Sequence, residues 1–411
     1  MSRINDLIKE LCPNGVEYKR IWEVTTWDKK YNSVERHIQP NIAKYNYLLA
    51  NQLEEILDPN GDVLILETGI SKDKKYTNEE LAGDNICDAE VVAIPWGGTP
   101  NVKYYNGKFV TGDNRIAISN DTSILNTKFL YYLFSNNIKE ISGFYRGSGI
   151  QHPEMKKILM MNVPIPPLEV QEEIVRILDK FGELEAELEA ELEARRSQYE
   201  FWRGKLLDGR KELYVNLGSL CKIITKGTTP KKYVDTGINF IKTEAFIGDY
   251  VDKTKLSFVD EESHNGFLKR SILEENDILF TIAGATIGKM TVVTNDLLPA
   301  NTNQALAIIR LNNDVNLNYI KHILKSNYMK EYIKLCVKGS AQPNLNLQQL
   351  NNFEFPFPSA DEQQRIVNIL DKFDKLVNDI SVGLPAEIEA RRKQYEYYRN
   401  KLLSFEEVSC E

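Results

Sequence analysis

The chain has 411 residues, too many for one hydrophobic core, so its length predicts two or three domains. With 42% hydrophobic and 27% charged residues, the composition is that of a globular protein and excludes a disordered or fibrous chain. The net charge of −8 argues at first against nucleic acid as a partner.

The first globular region is predicted over residues 1–168. It opens with a short amphipathic helix within residues 1–16, which Pro13 and Gly15 bring to an end. Apolar runs and a helical periodicity define the elements that follow. These are predicted strands at 63–66, 91–94 and 115–118 and a predicted helix over 129–141.

Residues 169–207 are predicted to form one long helix. Leu184, Leu188 and Leu192 recur every fourth residue, within a Leu-Glu-Ala-Glu unit that is written three times and ends in Arg195. About 39 residues at about 1.5 Å each give a length of roughly 58 Å. A helix of this length with one apolar stripe requires a partner helix.

A second globular region (208–360), a second long helix (361–404) and a tail (405–411) complete the chain. Ser359 is predicted to cap the second helix, and a break is predicted near 383–385, at Gly383 and Pro385. The elements predicted in the second region are strands at 238–241, 278–282 and 305–309 and a helix over 319–337.

The second helix is the expected partner because its sequence copies the first. Residues 175–181 return as 367–373, and residues 193–200 return as 389–396. The predicted fold is therefore α+β: two mixed α/β regions separated by two long antiparallel helices that form a coiled coil, with a pseudo-twofold internal duplication. The residues predicted to pair the helices are Phe181, Leu184, Leu188, Leu192, Tyr199, Trp202, Phe373, Leu376, Ile380, Ile388, Tyr395 and Tyr398.

The overall charge hides a segregation along the chain. Residues 169–207 carry a net charge of −5 and residues 51–100 carry −8, whereas residues 101–168 and 310–338 each carry +4. The two basic segments lie in the globular regions, just before the long helices. These two basic segments, unlike the first long helix and residues 51–100, therefore fit a polyanionic partner.

Both globular regions contain loops that combine glycine, small hydroxyls, amides and cations. Glycine lets the backbone approach a phosphate, lysine and arginine neutralise phosphates, and Arg, Gln and Asn read base edges. One such loop is more often an ordinary surface loop, but their recurrence in both regions predicts contact with DNA. The predicted DNA-binding residues are Trp96, Gly98, Thr99, Lys103, Arg115, Arg146, Ser148, Gln151, His152, Lys226, Thr228, Thr229, Lys242, Thr286, Lys289, Asn303, Gln304, Lys338, Ser340 and Gln342.

No arrangement typical of catalysis is found, so the chain is predicted to be non-catalytic. The turn at 284–289 resembles a phosphate loop, but only three residues separate its glycines and Met290 replaces the Ser or Thr that holds magnesium. The five cysteines and four histidines show no metal-ligand spacing. Scattered cysteines indicate a reducing cytoplasm, and no apolar run is long enough for a membrane span.

These motifs together resemble those of the specificity subunits of Type I restriction–modification systems. The resemblance covers nearly the whole chain. It rests on the duplicated helix segments 174–181 with 366–373 and 193–207 with 389–403, on Gly-Ala-Thr-Ile-Gly-Lys at 284–289, and on residues 146–152 ahead of the proline-rich 164–168.

The resemblance implies two target-recognition domains, each reading one half of a split double-stranded DNA site. It implies assembly with two modification subunits, which use S-adenosylmethionine to methylate adenine at N6. It also implies two restriction subunits, which use ATP and Mg for translocation and cleavage. This chain itself would bind no cofactor. An acidic helix is repelled by DNA, so the helices are expected to span an unread spacer.

Two alternatives explain less of the sequence. A self-sufficient restriction enzyme would need an Asn-Pro-Pro-Tyr motif and a Pro-Asp…Glu-x-Lys centre, and neither is present. A structural coiled-coil scaffold without a nucleic-acid role explains the long helices. It does not explain the paired loops or the basic segments.

Overall fold

The structure is a computed structural model that describes residues 2–71, 73–208, 213–337, 344–379 and 381–408. Its backbone divides into two compact units: unit 1 is the chain up to Glu187 and from Glu389 onward, and unit 2 is Leu188–Ile388. Each unit contains helices and sheets, which confirms the predicted α+β class. Four residues with predicted roles lie outside the described residues, namely Lys338, Ser340, Gln342 and Ile380.

The first segment of unit 1 begins with the amphipathic helix and ends at Glu187, within a long helix. In chain order its elements are α1 (Ser2–Leu11), β1 (Glu17–Arg20), α2 (Ile21–Val24), β2 (Thr25–Trp27), α3 (Ala50–Glu55), β3 (Val63–Leu66), β4 (Lys75–Thr77), α4 (Glu79–Ala82), β5 (Cys87–Pro95), β6 (Lys103–Thr111), β7 (Asn114–Ser119), α5 (Thr127–Asn136), α6 (Ile138–Gly143), β8 (Tyr145–Arg146), β9 (His152–Pro153), α7 (Met155–Leu159), β10 (Asn162–Ile165) and the first part of α8 (Leu168–Leu206).

Unit 2 takes the rest of α8 and most of the second half of the chain. Its further elements are β11 (Tyr214–Asn216), β12 (Cys221–Lys226), β13 (Ile238–Ile241), β14 (Phe246–Ile247), β15 (Tyr250–Val251), β16 (Ser257–Val259), α9 (Glu261–Asn265), β17 (Ile278–Thr281), β18 (Met290–Val292), β19 (Ala300–Thr302), β20 (Leu306–Leu311), α10 (Leu317–Leu324), α11 (Asn327–Val337), α12 (Leu347–Asn351), β21 (Glu354–Pro356), α13 (Ala360–Asn378) and the start of α14 (Leu384–Leu402), whose remainder belongs to unit 1.

Two helices predicted as single elements are each divided in the structure. The helix predicted over 129–141 is α5 followed by α6, because Asn137 leaves the helical conformation at φ −93°, ψ 16°. The helix predicted over 319–337 is α10 followed by α11, and the Ser326 hydroxyl donates to the Ile323 carbonyl at the break. A serine that satisfies a terminal carbonyl favours helix termination over continuation.

Four strands in each unit follow the same order, although the sheet of unit 1 continues to β3 and β4 while β13, β16 and β19 of unit 2 form a separate sheet. Unit 1 contains the strand order β2-β7-β5-β6 and unit 2 the order β12-β20-β17-β18, with antiparallel neighbours throughout. Each unit also has one parallel pair, β3 with β6 and β13 with β19. The pairs β1–β10 and β11–β21 join the start of each globular region to its end. The duplication predicted from the helices therefore extends to the sheets.

A buried glutamine fixes the start of each long helix. The Gln171 side-chain amide donates to the Pro166 carbonyl at 2.7 Å, and the Gln363 amide donates to the Pro358 carbonyl at 2.8 Å. The Ser359 side chain accepts from the Glu362 N–H at 3.5 Å, as the predicted cap requires. These bonds tie each helix to the proline-containing segment before it.

In unit 1 the start of α8 packs against the end of α14. The Phe181 ring stacks on Tyr398 with centroids 5.6 Å apart and lies 6.2 Å from Tyr395. One turn later on α8, Glu185 accepts from the Arg392 guanidinium at 2.6 Å. Residue numbers rise along α8 as they fall along α14, so these two segments are antiparallel.

In unit 2 the end of α8 packs against α13. Tyr199 lies 6.2 Å from Phe373 between ring centroids, and its hydroxyl donates to Asp374 at 3.1 Å. Leu192 packs against the core of the same unit, and Ile388 is buried. Leu184 and Leu188 are half-buried. Each unit thus contains one segment of each long helix.

Two predicted pairing residues, Trp202 and Leu376, are not buried. Trp202 is 38% exposed and Leu376 is 39% exposed, so the prediction that they pair the helices is wrong. The buried stripe continues at i+4 instead, with Arg203 four residues after Tyr199 and Val377 after Phe373. Arg203 fits there because its guanidinium lies 5.0 Å from the centroid of the Tyr199 ring.

The second long helix is interrupted between Asn378 and Leu384. The side chain of Asp379 accepts from the N–H groups of Ser381 and Val382, which forms the turn. A Cβ on Gly383 would come within 2.6 Å of the Lys375 carbonyl oxygen, so only glycine fits.

Candidate nucleic-acid interface

In unit 1 the strand register brings several predicted loops to one edge of the sheet. Pro95, the last residue of β5, pairs with Asn114 at the start of β7, and Lys103 at the start of β6 pairs with Ala93. β2 ends beside β7, with Trp27 opposite Ala117. The loops after β2 and β5 and before β6 and β7 therefore leave the sheet at the same edge.

At this edge the loop after Pro95 contacts the β8–β9 hairpin. The Gly98 N–H donates to the Gln151 carbonyl at 3.0 Å, and His152 Nδ1 lies 2.7 Å from the Trp96 carbonyl oxygen. The His152 and Trp96 rings are 5.3 Å apart between centroids. Two loops that the sequence picked out separately are thus held together by main-chain and ring contacts.

Gly97 makes this close contact sterically feasible. A Cβ at this position would lie 2.9 Å from Ile150 Cγ2 and 3.3 Å from His152 Cε1. Gly147, at the other side of the hairpin loop, has φ +139°, a conformation that favours glycine. The two glycines therefore set the approach of the loops rather than contact a ligand by themselves.

Arg115 was predicted to bind DNA, and the structure contradicts this. Its side chain is fully buried, donates to Asp28 at 2.9 Å and contacts Asp113. Its guanidinium lies 4.9 Å from the centroid of the Trp96 ring, and the Lys29 ammonium lies 5.2 Å from that centroid. A buried arginine needs carboxylate partners, and Asp28 and Asp113 lie 87 and 2 residues away from it in sequence. Arg115 therefore supports Trp96 from within.

Lys103 is also engaged with the protein. Its ammonium donates to the Thr68 carbonyl at 3.0 Å and to the Asn101 side chain at 2.5 Å. Burial lowers the pKa of Lys103 to about 8, and the nearby Glu67 carboxylate only partly offsets this. This lysine ties two loops together at the sheet edge.

The remaining predicted residues of unit 1 lie on the surface of the two loops. Gly98, Thr99, Ser148, Gln151 and His152 are exposed, while Trp96 is half-buried. Arg146 is exposed as well, and it pairs with Glu154 at 2.9 Å. Exposed amide, hydroxyl and imidazole groups are those that read base edges and phosphates.

Unit 2 presents an equivalent sheet edge. Lys226 at the end of β12 pairs with Ala307 near the start of β20, and Thr281 at the end of β17 pairs with Leu306. The loops that follow Lys226 and Thr281 therefore meet the loop that precedes Leu306. All the predicted residues of unit 2 between 226 and 304 that the structure describes lie in loops, except Lys226, which ends β12.

Gly227 packs directly on the loop before β20. A Cβ at Gly227 would lie 2.1 Å from the Asn303 carbonyl oxygen, a distance that no side chain tolerates. The Thr228 N–H donates to the Thr302 carbonyl at 2.9 Å, and the Thr229 hydroxyl donates to the Gln304 side chain. Lys226, Thr229 and Gln304 remain exposed at this contact.

The segment at 284–289 is a tight turn between β17 and β18. Gly284 and Gly288 have φ near +90°, and the Gly288 N–H donates to the Thr281 carbonyl at 2.9 Å. The Lys289 N–H donates to the Thr286 carbonyl at 3.1 Å, and the Lys289 side chain is exposed. Main-chain groups satisfied within a turn do not form a phosphate loop, as the spacing indicated.

Unit 2 also has exposed aromatic residues beside lysines, which the sequence reasoning missed except for Lys242. The Lys242 ammonium lies 4.9 Å from the Tyr233 ring centroid, and the Lys231 ammonium lies 5.5 Å from the Phe267 ring centroid. Tyr233 is 46% exposed and Phe267 56% exposed. Lys231 and Tyr233 follow the loop at 226–229 directly. The only sequence signal was basic and aromatic residues interleaved at 231–233.

A family model described as the Type I restriction modification DNA specificity domain matches residues 22–194 and, a second time, residues 212–390. The chain belongs to this family. The resemblance noted from its motifs is thereby confirmed, and both copies of the duplicated plan carry the match.

Similar proteins agree with this assignment. A Type I restriction enzyme specificity subunit of Escherichia coli is 33% identical over 346 residues, which cover 80% of this chain and 84% of that protein. A putative Type I restriction enzyme specificity subunit of Haemophilus influenzae is 32% identical, with 77% and 83% covered. The crystal structure of an S subunit from M. genitalium shares the fold, with a TM-score of 0.58, 17% identity and 95% and 96% of the two chains covered.

The described residues carry neither a group of metal ligands nor a membrane-spanning helix. They contain no group of three or more His, Cys, Asp and Glu side chains placed to hold a metal ion. Among the same residues, no helix is both long enough and apolar enough to span a bilayer.

Proposed function

We propose that this chain is the non-catalytic subunit that selects the DNA sequence for a Type I restriction–modification complex. The observation that carries the proposal is the repeated sheet edge. In both units the same antiparallel strand order supports loops with exposed amide, hydroxyl and cationic groups. A reader of sequence needs these groups on a rigid scaffold, and here two such scaffolds occur in one chain.

Each unit reads one half of a two-part target, and the long helices set the number of unread base pairs between the halves. Support comes from α8, a single helix of 39 residues that carries residues of both units. Its central glutamates disfavour DNA contact along this segment. The length of the helices therefore fixes how many base pairs the spacer has, and the identity of those base pairs does not matter.

The methyltransferase activity belongs to two modification subunits, and ATP-driven cleavage to two restriction subunits, so S-adenosylmethionine, ATP and Mg are bound by those partners. An outward aromatic face on each long helix supports docking of two similar partners. Phe201 is 63% exposed beside Lys205, and Tyr397, its counterpart in the second copy, is 60% exposed beside Lys401. Exposed aromatics near cations suit an apolar partner surface with an acidic rim.

Mapping of methylated adenines tests the proposal. The chain, reconstituted with a modification subunit, is expected to methylate one two-part sequence. Gln151→Ala in unit 1 is expected to relax one half only, and Gln304→Ala in unit 2 the other half only. A contiguous motif, or a variant that alters both halves, would contradict the assignment of one half-site to each unit.

The docking surface has its own test. In native mass spectrometry the wild-type chain is expected to bind two modification subunits. Phe201→Ala with Trp202→Ala, or Tyr397→Ala alone, is expected to reduce this to one. Two bound partners in all variants would exclude these faces.

A further inference from the structure

His152 is held in a fixed orientation at the reading edge of unit 1. Its Nδ1 lies 2.7 Å from the Trp96 carbonyl oxygen, and its ring packs 5.3 Å from the Trp96 ring between centroids. A Cβ at Gly97 would lie 3.3 Å from His152 Cε1, so a larger residue there would press on the imidazole. The buried guanidinium of Arg115 lies 4.9 Å from the Trp96 ring centroid and holds that ring in place.

The hydrogen bond to Trp96 determines which nitrogen of His152 carries the proton. A carbonyl oxygen can only accept a hydrogen bond, so Nδ1 must be the donor. In a neutral imidazole with a proton on Nδ1, Nε2 has a free lone pair and acts as an acceptor. Among the described residues Nε2 has no hydrogen-bond partner, and the side chain is exposed.

We infer that His152 is a specificity-determining residue of unit 1 that accepts a hydrogen bond from an exocyclic amino group in the major groove. The amino donors there are adenine N6 and cytosine N4, and every base pair carries one of the two. This inference rests on the proposed function, because it requires unit 1 to read DNA.

The free lone pair on Nε2 of the neutral His152 ring favours this role over phosphate binding. A phosphate oxygen accepts hydrogen bonds, so an Nε2 lone pair would repel it, whereas an amino group donates to it. The neighbouring hairpin residue Arg146, opposite His152 across β8 and β9, is a permanent cation and a better phosphate ligand than a neutral imidazole, although it pairs with Glu154 at 2.9 Å. The unit thus has an acceptor and a cation on adjacent strands.

A base-analogue scan of the reconstituted complex tests the inference. First, methylation mapping with the wild-type chain defines the target. Synthetic duplexes then replace each adenine by purine, or each cytosine by 2-pyrimidinone, so that one amino group is removed at a time. Binding is measured at pH 8, with the wild-type chain and with His152→Phe, which keeps an aromatic ring beside Trp96.

The quantity that decides is a ratio. For each position, the loss of affinity caused by the analogue in the wild type is divided by the loss in His152→Phe. This division cancels the weaker pairing of the analogue itself. A ratio of about ten is expected at one base pair of one half-site, and about one at all others.

His37→Phe is the matched control. His37 is an exposed histidine of the same unit that lies edge-on to a tryptophan, with 6.4 Å between its ring centroid and that of Trp22. Ratios of about one are expected for it at every position. A ratio of about one everywhere for His152→Phe overturns the inference while leaving the proposed function intact. Failure of the wild-type complex to methylate any defined sequence would instead overturn the proposed function, and the inference with it.

Discussion

The Phe181 ring lies 6.2 Å from that of Tyr395, and the duplicate pair, Phe373 and Tyr199, repeats the contact at 6.2 Å. Phe181 and Tyr199 belong to α8, whereas Phe373 and Tyr395 belong to α13 and α14, the two parts of the second long helix. The first contact lies in unit 1 and the second in unit 2. Each unit is therefore completed by helix residues from both halves of the chain.

This contact predicts that Phe181→Ala destabilises unit 1. Loss of a partly buried ring that touches two aromatic partners is expected to lower the free energy of unfolding by about 2 kcal/mol. Phe201→Ala removes the same side chain from an exposed position on the same helix and is expected to cost less than about 0.5 kcal/mol. Urea denaturation followed by fluorescence measures both, and equal effects would contradict the pairing.

The buried glutamines at the two helix starts provide a second comparison. Gln171 accepts from the Asn126 N–H and donates to the carbonyls of Ile124 and Pro166, whereas Gln363 donates to Pro358. Leucine at either site leaves these groups unsatisfied. Gln171→Leu is expected to cost about 3 kcal/mol and Gln363→Leu about 1 kcal/mol. The reverse order in denaturation midpoints would show that another interaction dominates.

Lys103 predicts a pH dependence of stability. Its pKa is lowered to about 8 in the folded state from 10.5, so between these values the unfolded chain binds more protons than the folded one. Stability therefore rises with pH across this window, and this gain is lost again as the pH falls from 10.5 through 8. The free energy of unfolding of the wild type, minus that of Lys103→Met, is expected to increase by about 2 kcal/mol from about pH 7.5 to about pH 9.5. Chemical denaturation at several pH values measures this difference, and a flat profile would exclude the assigned pKa.

The division between units falls between two copies of the Leu-Glu-Ala-Glu unit, after Glu187. Deletion of residues 188–191 removes one copy, which is about 6 Å of helix, or somewhat under two base pairs at about 3.4 Å each. We expect the unread spacer to shorten by about one base pair or more. Both half-sites should stay the same in methylation maps. An unchanged spacer would show that the length of the helix does not set the length of the spacer.

The lysine–aromatic pairs of unit 2 predict a salt effect without a change of sequence. If Lys231 and Lys242 neutralise phosphates, alanine at either lowers the slope of log affinity against log salt by about 0.9. Lys232→Ala is the matched control, because its ammonium lies 3.7 Å from the Asp260 carboxylate. The methylated sequence should not change in any of the three variants. If neither Lys231→Ala nor Lys242→Ala changes this slope, these lysines do not contact DNA phosphates.

Sequence reasoning succeeded where the signal is local. The run at 63–66 is β3 as predicted, and the four-residue leucine spacing at 184–192 lies in a continuous helix. It failed where a distant partner decides. Arg115 resembled a surface cation because its carboxylate partner Asp28 is 87 residues away. The prediction for Trp202 was one residue out of phase with the helix, because Arg203 is the buried residue at this turn. The sequence identified the two loops of unit 1, but it gave no sign that His152 contacts Trp96.

The membership of residues 389–408 in unit 1 has a consequence for synthesis on the ribosome. Tyr18 donates to the carbonyl of Phe405, and Phe181 needs Tyr395, so the first unit begun is the last one finished. At about 5–20 residues per second, roughly 10–40 s separate the emergence of Phe181 from that of its partner. Near the end of this interval unit 2 has all of its residues, while the nascent first unit still exposes an uncovered apolar helix face. Chaperone occupancy and aggregation during expression should therefore track translation of the final segment.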